Sequence, residues 1–331
     1  MYAWGGDTDD WKGSKAYDFG SARARYDKIA VDAGPRSYMA RSTPDMALVN
    51  PKGKIITSES ENPIVIAVDV TGSMATWPGE IFDRLPLLYQ TLSKYRPDLE
   101  ICFAAIGDAT CDSYPLQVND FGKEAELEAK LKALGCEGGG GGHITESYEL
   151  FGYFIQEHCK TPKAKSPFLL IYGDETFYDK VDRKQVRHYI GDDLQSELES
   201  AEVWRNLMQK FNIYFMHKPY GHGNESSTTK EVGENWGKVL GRERIIELPY
   251  EVEGEGGIII PGAQRAVDVG MGLIAKLWGE YTDFSINLDA RHDDPMIKES
   301  VHKSLRYIDD NPPALSVMSK TGSKKTKSLL D

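Results

Sequence analysis

Between about residues 63 and 280 the chain alternates short uncharged apolar runs with stretches whose apolar residues recur every three or four positions. The first run is Ile64-Val65-Ile66-Ala67-Val68, closed by Asp69. Similar runs occupy residues 99–108, 168–172 and 213–216, with a shorter one at 244–248. Uninterrupted apolar runs of this length fit strands covered on both faces, as in a parallel sheet. Residues 114–118, with Pro115, fit an antiparallel edge strand beside the second run.

The intervening stretches predict helices. Residues 79–95 place Ile81, Phe82, Leu85, Leu88, Tyr89 and Leu92 on one face, with a bend or break expected at Pro86. Residues 122–134 carry Leu127, Leu131 and Leu134 among charges, and Gly135 and the glycine run 138–142 end that helix. A helix over 145–158, capped by Thr145 or Ser147, presents Leu150, Phe151, Phe154 and Ile155. A charged helical region, 180–210, carries Val203, Trp204, Leu207 and Met208 at its end, and 262–280 reads as a closing helix. Residues 217–229 read as a polar loop. Strands alternating with helices predict an α/β, doubly wound, mostly parallel central sheet with one antiparallel edge strand, flanked by helices, over 61–281.

On either side the pattern lapses. Residues 1–60 form an irregular N-terminal arm, partly disordered or wrapped on the domain through Trp4, Trp11, Tyr17, Phe19 and Tyr26, with a hairpin lead-in at 48–57. Residues 282–331 form a polar C-terminal extension, partly disordered, whose Ser/Thr/Lys/Gly tail spans 319–327.

Composition narrows the function classes. The 331 residues are 40% hydrophobic and 27% charged, enough for a sizeable core. A net charge of −12 argues against a general nucleic-acid or anionic-membrane binder, which needs a basic face. Cys102, Cys111, Cys136 and Cys159 show no CxxC pair, so reduced thiols in a cytoplasmic protein are expected. The first residues lack a basic and then apolar leader pattern, and no window approaches 18 consecutive apolar residues, so neither secretion nor membrane spanning is expected.

Candidate chemistry gathers at the ends of three runs. Asp69, Thr71 and Ser73 offer a carboxylate and two hydroxyls within five residues. Such hard oxygen donors suit Mg²⁺, Mn²⁺ or Ca²⁺ better than zinc or copper. The plain alternative is a capped turn opening the next helix. Asp108 and Asp112 follow the second run, and Gly173-Asp174-Glu175 follow the third.

The stretch Ile64–Met74, ending Asp69-Val-Thr71-Gly-Ser73, resembles the first motif of the von Willebrand factor type A domain family, in which D-x-[ST]-x-S opens a metal-ion-dependent adhesion site. That family has two further motifs, a Thr before a helix and an Asp after a later buried strand. Thr145 and Asp174 stand where these are expected. The third motif usually reads Asp-Gly, whereas this chain reads Gly173-Asp174, so Glu175 competes with Asp174; in the second loop Glu146 competes with Thr145. The resemblance implies that Thr71, Ser73 and Thr145 bind Mg²⁺ directly, with Asp69 and Asp174 acting directly or through water. It further implies that the open position takes an Asp or Glu of a protein partner. Intracellular members often work beside AAA+ ATPases of the MoxR type, so such an ATPase is an expected partner.

Other readings are weaker. A metal-dependent hydrolase or phosphotransfer enzyme would use Asp69 with Asp108 or Asp174, yet the position two after Asp69 is Thr71, where a second carboxylate is wanted. The glycine run lacks the Lys of a phosphate-binding loop, with His143 and Ile144 in its place. His217 and His222 lack zinc spacing, and Cys136 near His143 lacks an orienting third group. Ro-type relatives that bind RNA add a helical ring for which this chain is too short.

Overall fold

The computed structural model describes residues 42–139, 142, 144–220, 226–292 and 294–308. The arm before residue 42, His143, His222 and the tail from 309 lie outside the described residues.

Six strands form the central sheet: β1 (Ile64–Asp69), β2 (Ile101–Ile106), β3 (Leu116–Val118), β4 (Phe168–Gly173), β5 (Asn212–His217) and β6 (Ile245–Glu247). Their spatial order is β6-β5-β4-β1-β2-β3, and all neighbours are parallel except β2 and β3. The expected antiparallel edge strand is therefore present. Every residue of β1, β2, β4 and β5 is buried.

Alternation along the strands divides the core in two. Ile64, Ile66 and Val68 join one cluster with Leu170, Tyr172 and Met216; Val65 and Ala67 join the other with Ile171 and Phe215. The first cluster is closed by α1 (Trp77–Tyr95), which packs on a later helix, Ala263–Leu277. The second is closed by α3 (Tyr148–His158), α4 (Ser200–Leu207) and α5 (Ser227–Leu240); α2 (Glu126–Lys132) lies between β3 and α3 in the chain. The helix Ala263–Leu277 is α6, and α7 (Tyr281–Arg291) and α8 (Pro295–Leu305) pack against it. Continuous burial, with alternate residues facing helices on opposite sides of the sheet, is what uninterrupted apolar runs require.

Several local expectations differ from the fold. Pro86 does not break α1, which runs through it. No hairpin forms at 48–57: Met46–Val49 is a helical turn, and Ile56–Thr57 pairs in parallel with Cys159–Lys160. The region 180–210 is helical in two separate pieces, Arg183–Gln185 running on into Val186–Ile190 and then α4, with the short strands Lys180–Val181 and Leu198–Glu199 paired on either side of the first. Part of the expected polar loop opens α5, with the Ser226 hydroxyl capping the Thr229 N–H at 3.1 Å. The extension from 282 supplies most of α7 and all of α8, whose Phe284, Leu288, Val301 and Leu305 are buried. Among the described residues, no helix is long and apolar enough to cross a membrane.

Candidate metal centre

Parallel strands end on the same edge of the sheet, and there the fold assembles its chemistry. Register sets the level of each group. Val68 pairs with Tyr172 and His217 pairs with Gly173, so Asp69, Asp174 and the residue after β5, Lys218, emerge side by side.

Asp69 ends β1 fully buried. Its Oδ1 accepts from the Thr71 N–H at 2.8 Å and the Thr71 hydroxyl at 2.6 Å, and its Oδ2 accepts from the Tyr148 hydroxyl at the start of α3. Gly173 makes room for that phenol, since a Cβ there would lie 2.1 Å from the Tyr148 oxygen. The turn after Thr71 is held by the glycine segment: the Gly138 N–H donates to the Val70 carbonyl at 3.2 Å, and the Gly72 N–H donates to the Gly139 carbonyl. The described glycines thus buttress the Asp69 turn.

Ser73 links the first strand end to the third. Its hydroxyl donates to Asp174 Oδ1 at 2.9 Å and lies 3.2 Å from the Thr71 hydroxyl. Asp174 Oδ2 accepts from Lys218 Nζ at 2.6 Å, and the same ammonium donates to the Ser73 carbonyl at 2.9 Å. Sequence reasoning missed both Lys218 and Tyr148. Lys218 carried the signal used for Asp69 and Asp174, a polar residue just past a buried run.

The second loop is arranged otherwise than expected. Thr145–Glu146 is a short strand paired in parallel with Thr176–Phe177, and α3 begins at Tyr148, so Thr145 does not cap it. Thr145 is half-buried. Glu146 is buried, close enough to Asp69, Glu175 and Asp108 for each to raise its pKa, and its Oε2 has no hydrogen-bond partner. Glu175 is buried as well. Asp108, two residues past β2, sits in a turn that repeats the Asp69 pattern, its carboxylate accepting from the Thr110 N–H at 2.9 Å and the Thr110 hydroxyl at 2.6 Å. Tyr178 adds a bond to it at 3.1 Å.

Burial sets the electrostatics. It pushes Asp69 up to about 7, assisted by the Asp174 charge and opposed by the Thr71 and Tyr148 hydrogen bonds. Burial raises Asp174 too, against the pull of Lys218 and Ser73. Glu146 is pushed up to about 11 by burial and then by the carboxyls of Asp69, Glu175 and Asp108. These carboxyls are costly to ionise as they stand, and an added positive charge would relieve them.

The donor set fits a hard dication. Thr71 and Ser73 spend their hydroxyl protons on carboxylates, so each oxygen keeps lone pairs for a cation. Adjacent ligands of an octahedral ion with bonds of about 2.1 Å stand roughly 3.0 Å apart; the two hydroxyls are 3.2 Å apart. Among the described residues, no group of three or more His, Cys, Asp or Glu side chains is spaced to hold a metal ion by itself. His217 is buried, and burial pushes its imidazole down to about 3, so it stays neutral.

Comparison with the sequence profiles of known families and with curated proteins gives no match. Among solved structures, the chain is similar to the pilus adhesin SpaC from Lactobacillus rhamnosus GG, at 10% identity and a TM-score of 0.45, over 70% of this chain and 32% of that one. The open conformation of that adhesin gives 11% identity and a TM-score of 0.45, over 69% and 31%. The chain thus spans about a third of the length of the structures it matches.

Proposed function

We propose that this chain is a protein of the von Willebrand A type, with a doubly wound sheet, acting in the cytoplasm as a non-catalytic, Mg²⁺-dependent protein-binding module. Thr71 and Ser73 would hold the ion through their hydroxyls, with Asp69 and Asp174 balancing its charge and Glu146 supplying the second-loop oxygen. When bound, the ion supplies a hard Lewis-acid position for a carboxylate oxygen of a partner's Asp or Glu. The protein's own residues do the positioning: Tyr148 and the Thr71 N–H orient Asp69, and Ser73 ties that turn to Asp174. By resemblance, an AAA+ ATPase of the MoxR type is the candidate partner.

The observation that carries this reading is the coupling of two hydroxyls to two buried carboxylates from separate strands, with the hydroxyl oxygens 3.2 Å apart. Calorimetric titration of the full chain with Mg²⁺ and Mn²⁺ tests it. Saturable binding of one equivalent, lost in Asp69→Asn, is expected, together with partner capture that EDTA abolishes. Failure of the folded wild-type chain and its variants to bind either ion would refute it.

A further inference from the structure

The carboxylate that closes the site, Asp174, already has both oxygens engaged. Oδ1 accepts from the Ser73 hydroxyl and Oδ2 from Lys218. These bonds differ in what they allow. A serine hydroxyl can donate its proton to a carboxylate while its own oxygen ligates a cation; an ammonium has three donors and no lone pair, so it can only compete. Lys218 is also not a passing surface residue. Its side chain is 3% exposed, its Nζ bridges Asp174 and the Ser73 carbonyl, and it lies 5.9 Å from the centre of the Trp77 ring. Its backbone N–H donates to the Gly173 carbonyl at 2.9 Å, fixing the root of the side chain beside the carboxylate it serves.

We propose that Lys218 is a built-in cation that competes with the divalent ion for Asp174, so that metal binding proceeds by displacing the ammonium and metal affinity is set by that exchange. This rests on the metal-binding reading above and adds its regulation. A dication close to an ammonium meets like-charge repulsion strengthened by burial. It also claims a carboxylate whose release leaves a lysine to be rehydrated. The four-carbon stem permits this, because lysine reaches water by swinging its head outward while its methylenes remain packed. The consequence is a site whose Asp174 charge is balanced without metal, in which a partner's carboxylate and the freed ammonium become available together. An acidic partner segment that reaches the ion can then pair with Lys218 as well.

The test is Mn²⁺ binding followed by electron paramagnetic resonance, with Mg²⁺ measured by competition, on folded full-length wild type, Lys218→Met and Lys218→Arg. Lys218→Met is expected to bind Mn²⁺ about tenfold or more tightly than wild type, as loss of one close like charge in a buried setting requires. Lys218→Arg, which keeps the charge, is expected to stay near wild type. Equal or weaker binding by Lys218→Met overturns the competition while leaving the metal-binding reading intact. Absence of binding in all three overturns both. Because Lys218→Met leaves Asp174 unpaired and can lose its fold, a second measurement uses the wild type alone: reductive methylation of Lys218, read by mass spectrometry, with and without Mg²⁺. Faster modification in Mg²⁺ supports displacement; unchanged or slower modification overturns it.

Discussion

Two buried aspartates, Asp174 past the end of β4 and Asp268 in α6, have opposite surroundings. Asp268 Oδ2 accepts from Arg265 at 2.9 Å and contacts His292 at 3.3 Å, while its Oδ1 accepts from Arg291. Burial would raise its pKa, but Arg291 first, then the other partners, hold it far below the ordinary carboxylate range. Asp174 meets one ammonium, that of Lys218, and one neutral hydroxyl, that of Ser73, stands beside Asp69, and is raised. The Asp268 cluster, one carboxylate between two guanidiniums, is an ion network that ties α6 to α7. The Asp174 group is acidic beyond its compensation, which is costly as a fastening and useful for holding a cation.

Substitutions at the two regions should separate these roles. The largest effect is expected at the Asp268 network: Asp268→Ala leaves two buried guanidiniums without their carboxylate and should cost about 3–5 kcal/mol in urea unfolding. Its pH dependence follows from the depressed pKa. The contribution of Asp268 is fully present above the ordinary carboxylate value and is lost as pH falls below it, so wild type and variant should converge only in acid. An intermediate effect is expected at Gly173→Ala, where the added Cβ pushes on the Tyr148 hydroxyl that orients Asp69. Overpacking of this kind costs about 1–3 kcal/mol, and weakened Mn²⁺ binding should accompany it.

The smallest effect on stability is expected at Asp69→Asn, within about 1 kcal/mol of wild type at pH 5, despite complete loss of metal binding. Here the pH sign reverses. Asp69 rises from 3.8 to about 7 on folding, so the folded chain holds a proton that the unfolded chain releases between those values. Wild type should therefore lose stability relative to Asp69→Asn as pH rises through that window. Saturating Mg²⁺, which favours the ionised carboxylate, should flatten the loss. A wild-type difference that is independent of pH would remove the contrast between the two regions.

Much of the scaffold was legible because its signals are local. The apolar runs placed the buried strands, and the edge strand at 116–118 was readable from its neighbour and Pro115. The helices of 180–210 were legible as one charged region, but not the break between Arg183–Ile190 and α4, because the pairing of Val181 with Leu198 is not a local signal. Helix α5 was hidden by a polar lead-in. At the candidate site, Asp69, Thr71, Ser73 and Asp174 meet as their strand-end positions suggested. Thr145 was placed ahead of Glu146 at the site as a residue opening a helix, but the chain makes it a strand residue and brings the Glu146 carboxyl within electrostatic reach of Asp69.

By itself the sequence determined the apolar runs that become strands and the Asp69–Ser73 turn of hard oxygens, because each depends on neighbours within a few residues. Tertiary structure decided which distant groups join that turn. Lys218 lies 145 positions from Ser73 and 44 from Asp174, and Tyr148 lies 79 from Asp69. Only the parallel register, which brings the ends of β1, β4 and β5 level, sets the Lys218 ammonium against the Asp174 carboxylate.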